Sequence, residues 1–308
     1  MQQLTETREK HTHLFSYSDS YVRFLLLHKD KRIYCCPYPG NPGDHLICKG
    51  TAQLLADLQM SVVDNPNKAD FLLYPGGCPT MWPTVLEIIV KTIEKFPDKK
   101  IAIGPATFEF GFADWPNIFA KYADRIAGLF CRDKRSFYNL NRAKLPQTIV
   151  QGLSHDPSLY LKDSPFIQEL KAKVTEEYIL VALRLDHEMK LCQAEKIFNS
   201  LKPLIGQKNS KKVIRWIRKK TKKQKIKIIE KKAGNFPVKA CDVWQFDDEQ
   251  YLNTICRAKE VHTDRLHVMI VSAMLGKKVF AYKTLYDKLE NVYEYSLKDW
   301  ADVTFVDS

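Results

Sequence analysis

The sequence predicts an α/β protein built from two doubly wound domains that face each other. Three observations point there. Short buried strands alternate with helical stretches, each strand gives way to a loop containing Gly, Pro or a charged residue, and the series starts afresh near Tyr178. Such alternation marks a parallel sheet with helices on both faces. A chain of 308 residues accommodates two domains of roughly 150 residues each. The expected domains are 1–155 and 156–308.

Each element has its own warrant. Residues 32–36 (RIYCC) form an apolar strand that runs into the turn-rich 37–44. Residues 46–58 are an amphipathic helix, with Leu46, Ile47, Gly50, Leu54, Leu55 and Leu58 along one side. A strand at 70–74 leads to Pro75, Gly76 and Gly77, and a helix follows at 84–96. A third strand, 100–105, ends in Gly104 and Pro105, and a fourth, 127–131, runs into Arg132 and Asp133. Residues 149–175, with Pro157 and Pro165, read as connecting chain. The second series opens with the strand 178–183, ending at Arg184. Helices are expected at 188–204 and 248–258, a strand at 225–229 and an extended piece at 260–262. Helix 266–275 closes on Gly276, a place after a helix end that suits glycine, and 278–282 is a strand. There is no internal repeat of fixed period.

Hydrophobic content of 45% with 27% charged residues excludes a disordered or low-complexity chain. The net charge of +12 is not spread evenly. Thirteen basic residues and one acid, Glu230, fall within 208–232, so the remainder of the chain is neutral. Any electrostatic partner is to be sought at that segment. Trp216 is the one aromatic residue among its 25 residues, so nucleic acid is not the expected partner. Val213, Ile214, Ile217 and Thr221 share one helical side there. Cations around them are the composition either of a helix lying on an anionic membrane surface or of a solvated basic helix on the outside of the second domain. None of the eight cysteines makes a CxxC pair, and no Cys/His spacing matches a zinc site, so no metal is expected. The cysteines read as buried hydrophobes of a reducing compartment. No secretory h-region and no run of ~18–20 apolar residues is present, and a cytoplasmic protein is expected, peripheral at the cytoplasmic membrane face if 208–232 is the membrane-lying helix of these two readings.

Three motifs lie where a strand gives way to a loop or helix. Gly40, Asn41, Pro42, Gly43 and Asp44 combine glycines, which admit close backbone approach, with a helix N-terminus, whose free N–H groups favour anions. Asp44 can cap that helix. The loop is neither GxGxxG nor a Walker loop. Gly76 and Gly77 follow a buried strand and read as a backbone turn or a ligand loop. The third motif is Thr263, Asp264, Arg265, Leu266 and His267. Arg265 and His267 stand at a helix start, where a cation opposes the dipole and an anionic ligand removes the conflict. Arg132, Asp133 and Arg184 stand at strand ends.

Together these pieces resemble the polysaccharide pyruvyltransferase family. Residues 40–47 (GNPGDHLI) match its Gly-Asn-x-Gly-Asp-x-Leu-Ile signature. Gly76-Gly77, Arg132-Asp133 with Ser136, His155-Asp156-Pro157 and the strand ending at Arg184 follow in order. The strongest match is 263–267 (TDRLH) with 275–279 (LGKKV) behind it, and the order holds over 32–295. The block 287–294 looks like the lysine-containing loop of bacterial exopolysaccharide members. Pro42 in the variable place, Pro75 where many members have a third glycine, and the basic insertion depart from the pattern. They bear on the acceptor more than on the reaction.

The resemblance implies two Rossmann-like domains facing a cleft, as in the GT-B glycosyltransferase architecture. It implies transfer of pyruvate as a cyclic ketal from phosphoenolpyruvate to a sugar of a lipid-linked exopolysaccharide or cell-surface glycan. No cofactor is expected beyond phosphoenolpyruvate as co-substrate. Arg265 and His267 would contact the donor, with Arg184 and Lys288 neutralising it and Arg132, Gly40, Asn41, Gly43, Gly76 and Gly77 binding substrate. His267 is the expected acid, and Asp44 or Asp133 the acceptor of the hydroxyl proton. The rival within this architecture is a glycosyltransferase using a nucleotide-sugar.

Overall fold

A computed structural model describes residues 19–38, 40–186, 207–284 and 286–306. The chain divides after Gln168 into two compact units, the first also holding Glu294–Ser296. The division was expected at 155/156. Residues beyond 155 stay with the first unit because Asp156 and the 3-10 turn Pro157–Leu161 are buried against it.

The first unit is a six-stranded parallel sheet: β1 (Arg32–Cys35), β2 (Ser61–Val62), β3 (Phe71–Tyr74), β4 (Lys100–Ala106), β5 (Ile126–Cys131) and β6 (Val150–Leu153). Their order is β2-β1-β3-β4-β5-β6. Strand β3 is buried at all four positions, as a strand covered on both faces must be. On one face Ile33, Phe71, Leu73 and Phe130 pack against α1 (Ser20–Leu27) and α2 (Pro42–Asp57). On the other, Leu72, Tyr74, Ile103 and Leu129 meet α3 (Pro83–Lys95), α4 (Trp115–Lys121) and α5 (Lys134–Arg142). The stretch read as connecting chain, 149–175, instead holds β6, the buried 3-10 turn and α6 (Pro165–Ala172).

The second unit is a five-stranded parallel sheet of β7 (Tyr178–Ala182), β8 (Val238–Ala240), β9 (Ala258–Thr263), β10 (Lys278–Tyr282) and β11 (Val303–Val306), ordered β11-β10-β9-β7-β8. Its helices are α7 (Gln207–Ala233), α8 (Asp248–Cys256), α9 (Leu266–Met274) and α10 (Lys288–Val292). Helix α9 is buried almost all round, as its apolar composition demands. The helix expected at 188–204 lies outside the described residues.

The strand expected at 225–229 is a correction: those residues are the middle of α7. Ile226, Ile228 and Ile229 resemble a strand locally, but Ile229 is buried at the helical spacing that also brings Ile226 and Ala233 onto the sheet beside Ile179 and Val181. The apolar side read as membrane-facing is corrected with it. Ile217 is buried, and Val213, Ile214 and Thr221 are partly buried. Solvent meets the side next to it, where Trp216 is 60% exposed.

Candidate functional site

Each sheet has one place where the strand order reverses. In the first unit, chain continuation leaves β1 for β2 on one side and β3 on the other; in the second, β7 stands between β8 and β9 in the same way. Loops leaving the carboxyl ends of such neighbours diverge and open a crevice, where doubly wound folds bind ligands. The motifs at 40–44 and 76–77 fall at the first of these points and Arg184 with 263–267 at the second, while Arg132 and Asp133 follow β5.

At β1/β3, α2 begins at Pro42, four residues earlier than the periodicity predicts. Pro42 occupies its first turn and Asn41 is the N-cap. The Asn41 side chain accepts from Gly43 N at 2.9 Å. Asp44 does not cap the helix; it reaches back, with Oδ2 accepting from Asn41 N at 3.1 Å and Asn41 Nδ2 at 2.7 Å. A Cβ at residue 40 would lie 2.3 Å from that oxygen, which explains Gly40. The signature at 40–44 is therefore a capping box that aims a helix N-terminus at the strand ends.

Gly76 and Gly77 adopt φ of +137° and +94°, backbone that side chains rarely enter. Gly77 O accepts from Thr107 N, and a Cβ at 77 would strike the Tyr38 hydroxyl. Cys78 N donates to that hydroxyl at 3.2 Å.

Arg132 and Asp133 lie deeper than a substrate contact would require. Arg132 is 1% exposed. Its Nε donates to Thr107 Oγ1, Nη1 to Asp156 Oδ2 at 2.7 Å and Nη2 to Cys78 Sγ. One guanidinium thus ties the carboxyl ends of β3, β4, β5 and β6. Asp133 is 2% exposed and caps α5, accepting from Ser136 N at 2.7 Å and Ser136 Oγ at 2.8 Å. Both its oxygens are engaged, so its geometry is that of a cap and not of a base open to a sugar. His155 stacks on Tyr295, with Nδ1 2.8 Å from Ser296 Oγ.

At β7/β9, strand pairing does what sequence separation hides. Ala182 sits opposite Thr263, so Arg184 and Arg265 leave adjacent strand ends. Thr263 Oγ1 donates to Ala182 O and accepts from Arg265 N, which fixes the bend. Asp264 does not cap α9. Its Oδ1 accepts from Arg184 N at 2.8 Å, and burial pushes its carboxyl up against the pull of Arg184. Arg265 is the N-cap of α9 and gives it no side-chain cap. The first N–H groups there have no capping side chain, and a positive helix end beside an arginine suits an anion. Arg265 Nη2 pairs with Asp242 Oδ1 at 2.6 Å, while Arg265 Nε is buried with no hydrogen-bond partner. Arg184 Nε lies 2.9 Å from Asp186 Oδ1, an ion-pair distance without hydrogen-bond alignment. His267 is in the first turn of α9. Lys288, 9% exposed, opens α10 beyond the carboxyl end of β10.

Two cations at this strand end were not anticipated. Arg218 Nη1 donates to Asp186 O at 2.7 Å, and Lys222 Nζ donates to Leu183 O. Both come from α7, inside the segment read as surface charge. The helical spacing 218, 222, 226, 229 was the signal that could have placed them. A cavity of about 860 Å³ lies elsewhere, on the α7 side of the second sheet, walled by Ile179, Ile229, Phe236, His262, Phe280 and Tyr282 among others. None of the site residues named above lines it. Among the described residues, no cluster of His, Cys, Asp and Glu is suited to a metal ion.

Two parallel-sheet α/β units, with motifs at the carboxyl ends of their strands, define the class: a doubly wound α/β protein with a cationic strand-end site. Residues 41–284 match the family described as polysaccharide pyruvyl transferase, and the chain belongs to that family. Among solved structures it is similar to an uncharacterized protein of Klebsiella pneumoniae (19% identity, 97% of this chain and 100% of that one, TM-score 0.62). More distant are Anabaena HepE in complex with UDP and glucose (12%, 82% and 81%, 0.44) and UDP-GlcNAc 2-epimerase of Methanocaldococcus jannaschii (12%, 90% and 88%, 0.38). None of the curated proteins matches the chain significantly.

Proposed function

We propose that the chain transfers pyruvate from phosphoenolpyruvate to two hydroxyls of a sugar, forming a cyclic ketal on a lipid-linked exopolysaccharide or cell-surface glycan. The observation that carries this reading is the pairing of Arg184 and Arg265 at β7/β9 beside the uncapped start of α9. Phosphoenolpyruvate brings a phosphate and a carboxylate, and such a cluster suits two anionic groups.

In this reading Arg184, Arg265 and Lys288 hold the donor. His267 gives a proton to the methylene carbon as a sugar hydroxyl oxygen bonds to the neighbouring carbon. Asp44 takes the hydroxyl proton. The bond to the phosphate oxygen then breaks, phosphate leaves, and the second hydroxyl closes the ketal with loss of its proton. Gly40, Asn41, Gly43, Gly76 and Gly77 shape the backbone on the first unit, with Arg132 and Asp133 holding those loops in place. The scheme asks for no cofactor beyond the co-substrate.

The lipid-linked acceptor fits the outer side of α7. Trp216, with Lys220 5.1 Å from its ring, stands among exposed Lys219 and Lys223. That side suits the headgroups of an anionic membrane at the cytoplasmic face. No described helix is long and apolar enough to cross a membrane.

The test is incubation with phosphoenolpyruvate and lipid-linked glycan. Expected are a mass gain equal to a ketal and one phosphate released per ketal. His267→Ala should abolish both and keep the wild-type circular dichroism spectrum. Wild-type turnover in that variant refutes the acid. Release of nucleotide from a nucleotide-sugar, with no phosphate from phosphoenolpyruvate, would replace the reading with that of a glycosyltransferase.

A further inference from the structure

The basic segment contributes to the strand-end site as well as to the surface. Helix α7 runs unbroken over Gln207–Ala233, and its inward side passes the carboxyl end of β7. There Lys222 is partly buried, with its ammonium on Leu183 O, and Arg218 is on Asp186 O. These two carbonyls flank Arg184 in the chain. Asp242, Asp264 and Arg265 all lie close enough to act on the Lys222 charge.

Lys222 is oddly placed for a structural residue. Burial lowers its pKa, because an ammonium out of water loses solvation. Among the described residues its hydrogen bond goes to one backbone carbonyl, which returns little of that, and the nearby carboxylates are already engaged: Asp242 with Arg265, and Asp264 with Arg184 N. A Met or Leu would fill the same helical position at less cost. A flexible stem ending in three donors beside Arg265 is instead suited to an incoming phosphoryl oxygen.

We propose that Lys222 is a ligand of the donor's phosphoryl group, leaving Leu183 O for the anion when it binds. Arg218 stays on Asp186 O and holds the segment carrying Arg184, as a positioning residue. This rests on the phosphoenolpyruvate reading above and extends it. The chain uses its basic insertion to complete the anion site.

The experiment compares wild type, Lys222→Gln, Lys222→Arg and Lys219→Gln, the last an exposed neighbour on the same helix. Phosphoenolpyruvate binding is titrated calorimetrically at fixed salt, and thermal melts confirm folding. Lys222→Gln should weaken binding roughly 10- to 100-fold, the worth of one charge-assisted hydrogen bond. Lys222→Arg should recover part of the loss, Lys219→Gln should bind as wild type, and turnover should show a raised KM with a smaller change in kcat. Lys222→Gln binding within twofold of wild type overturns the inference, as does an equal loss in Lys219→Gln. Should wild type bind no phosphoenolpyruvate, the donor reading falls, and inorganic phosphate decides the lysine. Phosphate binding lost in Lys222→Gln alone upholds it as an anion ligand, and any other result overturns it.

Discussion

Arg132 Nη1 lies 2.7 Å from Asp156 Oδ2, and neither side chain meets solvent beyond 1%. The two come from different motifs 24 residues apart and form one buried ion pair. Removing one member strands the other charge in the interior. Arg132→Met should therefore destabilise the protein by about 3–5 kcal/mol. Urea denaturation checks this, and a loss under about 1 kcal/mol would contradict the buried pair. Asp156→Asn should fall between, because the amide oxygen still accepts.

Asp133 separates a cap from a base. Asp133→Ala should cost about 0.5–2 kcal/mol through loss of the α5 cap. Asp133→Ser keeps a capping oxygen and should restore most of that stability along with wild-type turnover. An inactive but stable Asp133→Ser would return the residue to proton transfer.

Gly50 packs where no side chain fits. A Cβ there would lie 1.9 Å from Pro157 O, so α2 and the 3-10 turn would have to separate. Gly50→Ala should lower stability by about 1–3 kcal/mol, read from the unfolding midpoint, despite alanine's better helix propensity. A stabilised variant would show that the approach of the two segments is looser.

The thiols give a pH dependence. Burial and the neighbouring thiolate charge push Cys35 up to about 11 and Cys36 up to about 12. The folded state thus keeps protons that the unfolded chain releases above about 9. Their contribution to stability is complete below that value and is lost as pH rises toward 12. Iodoacetamide at pH 8 should leave Cys36 unmodified in the native protein and label it once unfolded. Mass spectrometry reads the outcome, and rapid native labelling would place Cys36 at the surface.

Vesicles test the outer side of α7. Trp216→Ala with Lys219, Lys220 and Lys223 changed to Gln should cut sedimentation with phosphatidylserine-containing vesicles, at about 1 kcal/mol per lysine. Turnover on a soluble acceptor should be unchanged. Equal binding by the variant rules out this face.

Much of the fold was legible because buried parallel strands read as continuous apolar runs. Residues 71–74, 100–106 and 178–182 announce themselves that way. Strands β2, β6 and β11 did not, being short or partly exposed. The motif positions were legible, whereas their partners were not. Asp264 stands beside the α9 start in sequence, yet it serves Arg184 N eighty residues away, a relation created only by the β7–β9 pairing. Lys222 and Arg218 were hidden by composition. Among so many cations, only the turn-by-turn spacing of Ile226, Ile229 and Ala233 marks which side faces the sheet.

Helix α7 also acts as a spacer. Trp216 is on its outer side, Lys222 is turned inward, and six residues of helix separate them by about 9 Å along the axis. Across the rod the separation is bounded by a helix diameter of about 10–12 Å. Seated on a bilayer through Trp216, the enzyme would hold its donor at a constant height above the lipid. A glycan growing from a lipid carrier would then be modified at the sugar that reaches this height. The thickness of one helix would act as the ruler that selects which residue of the chain receives the ketal.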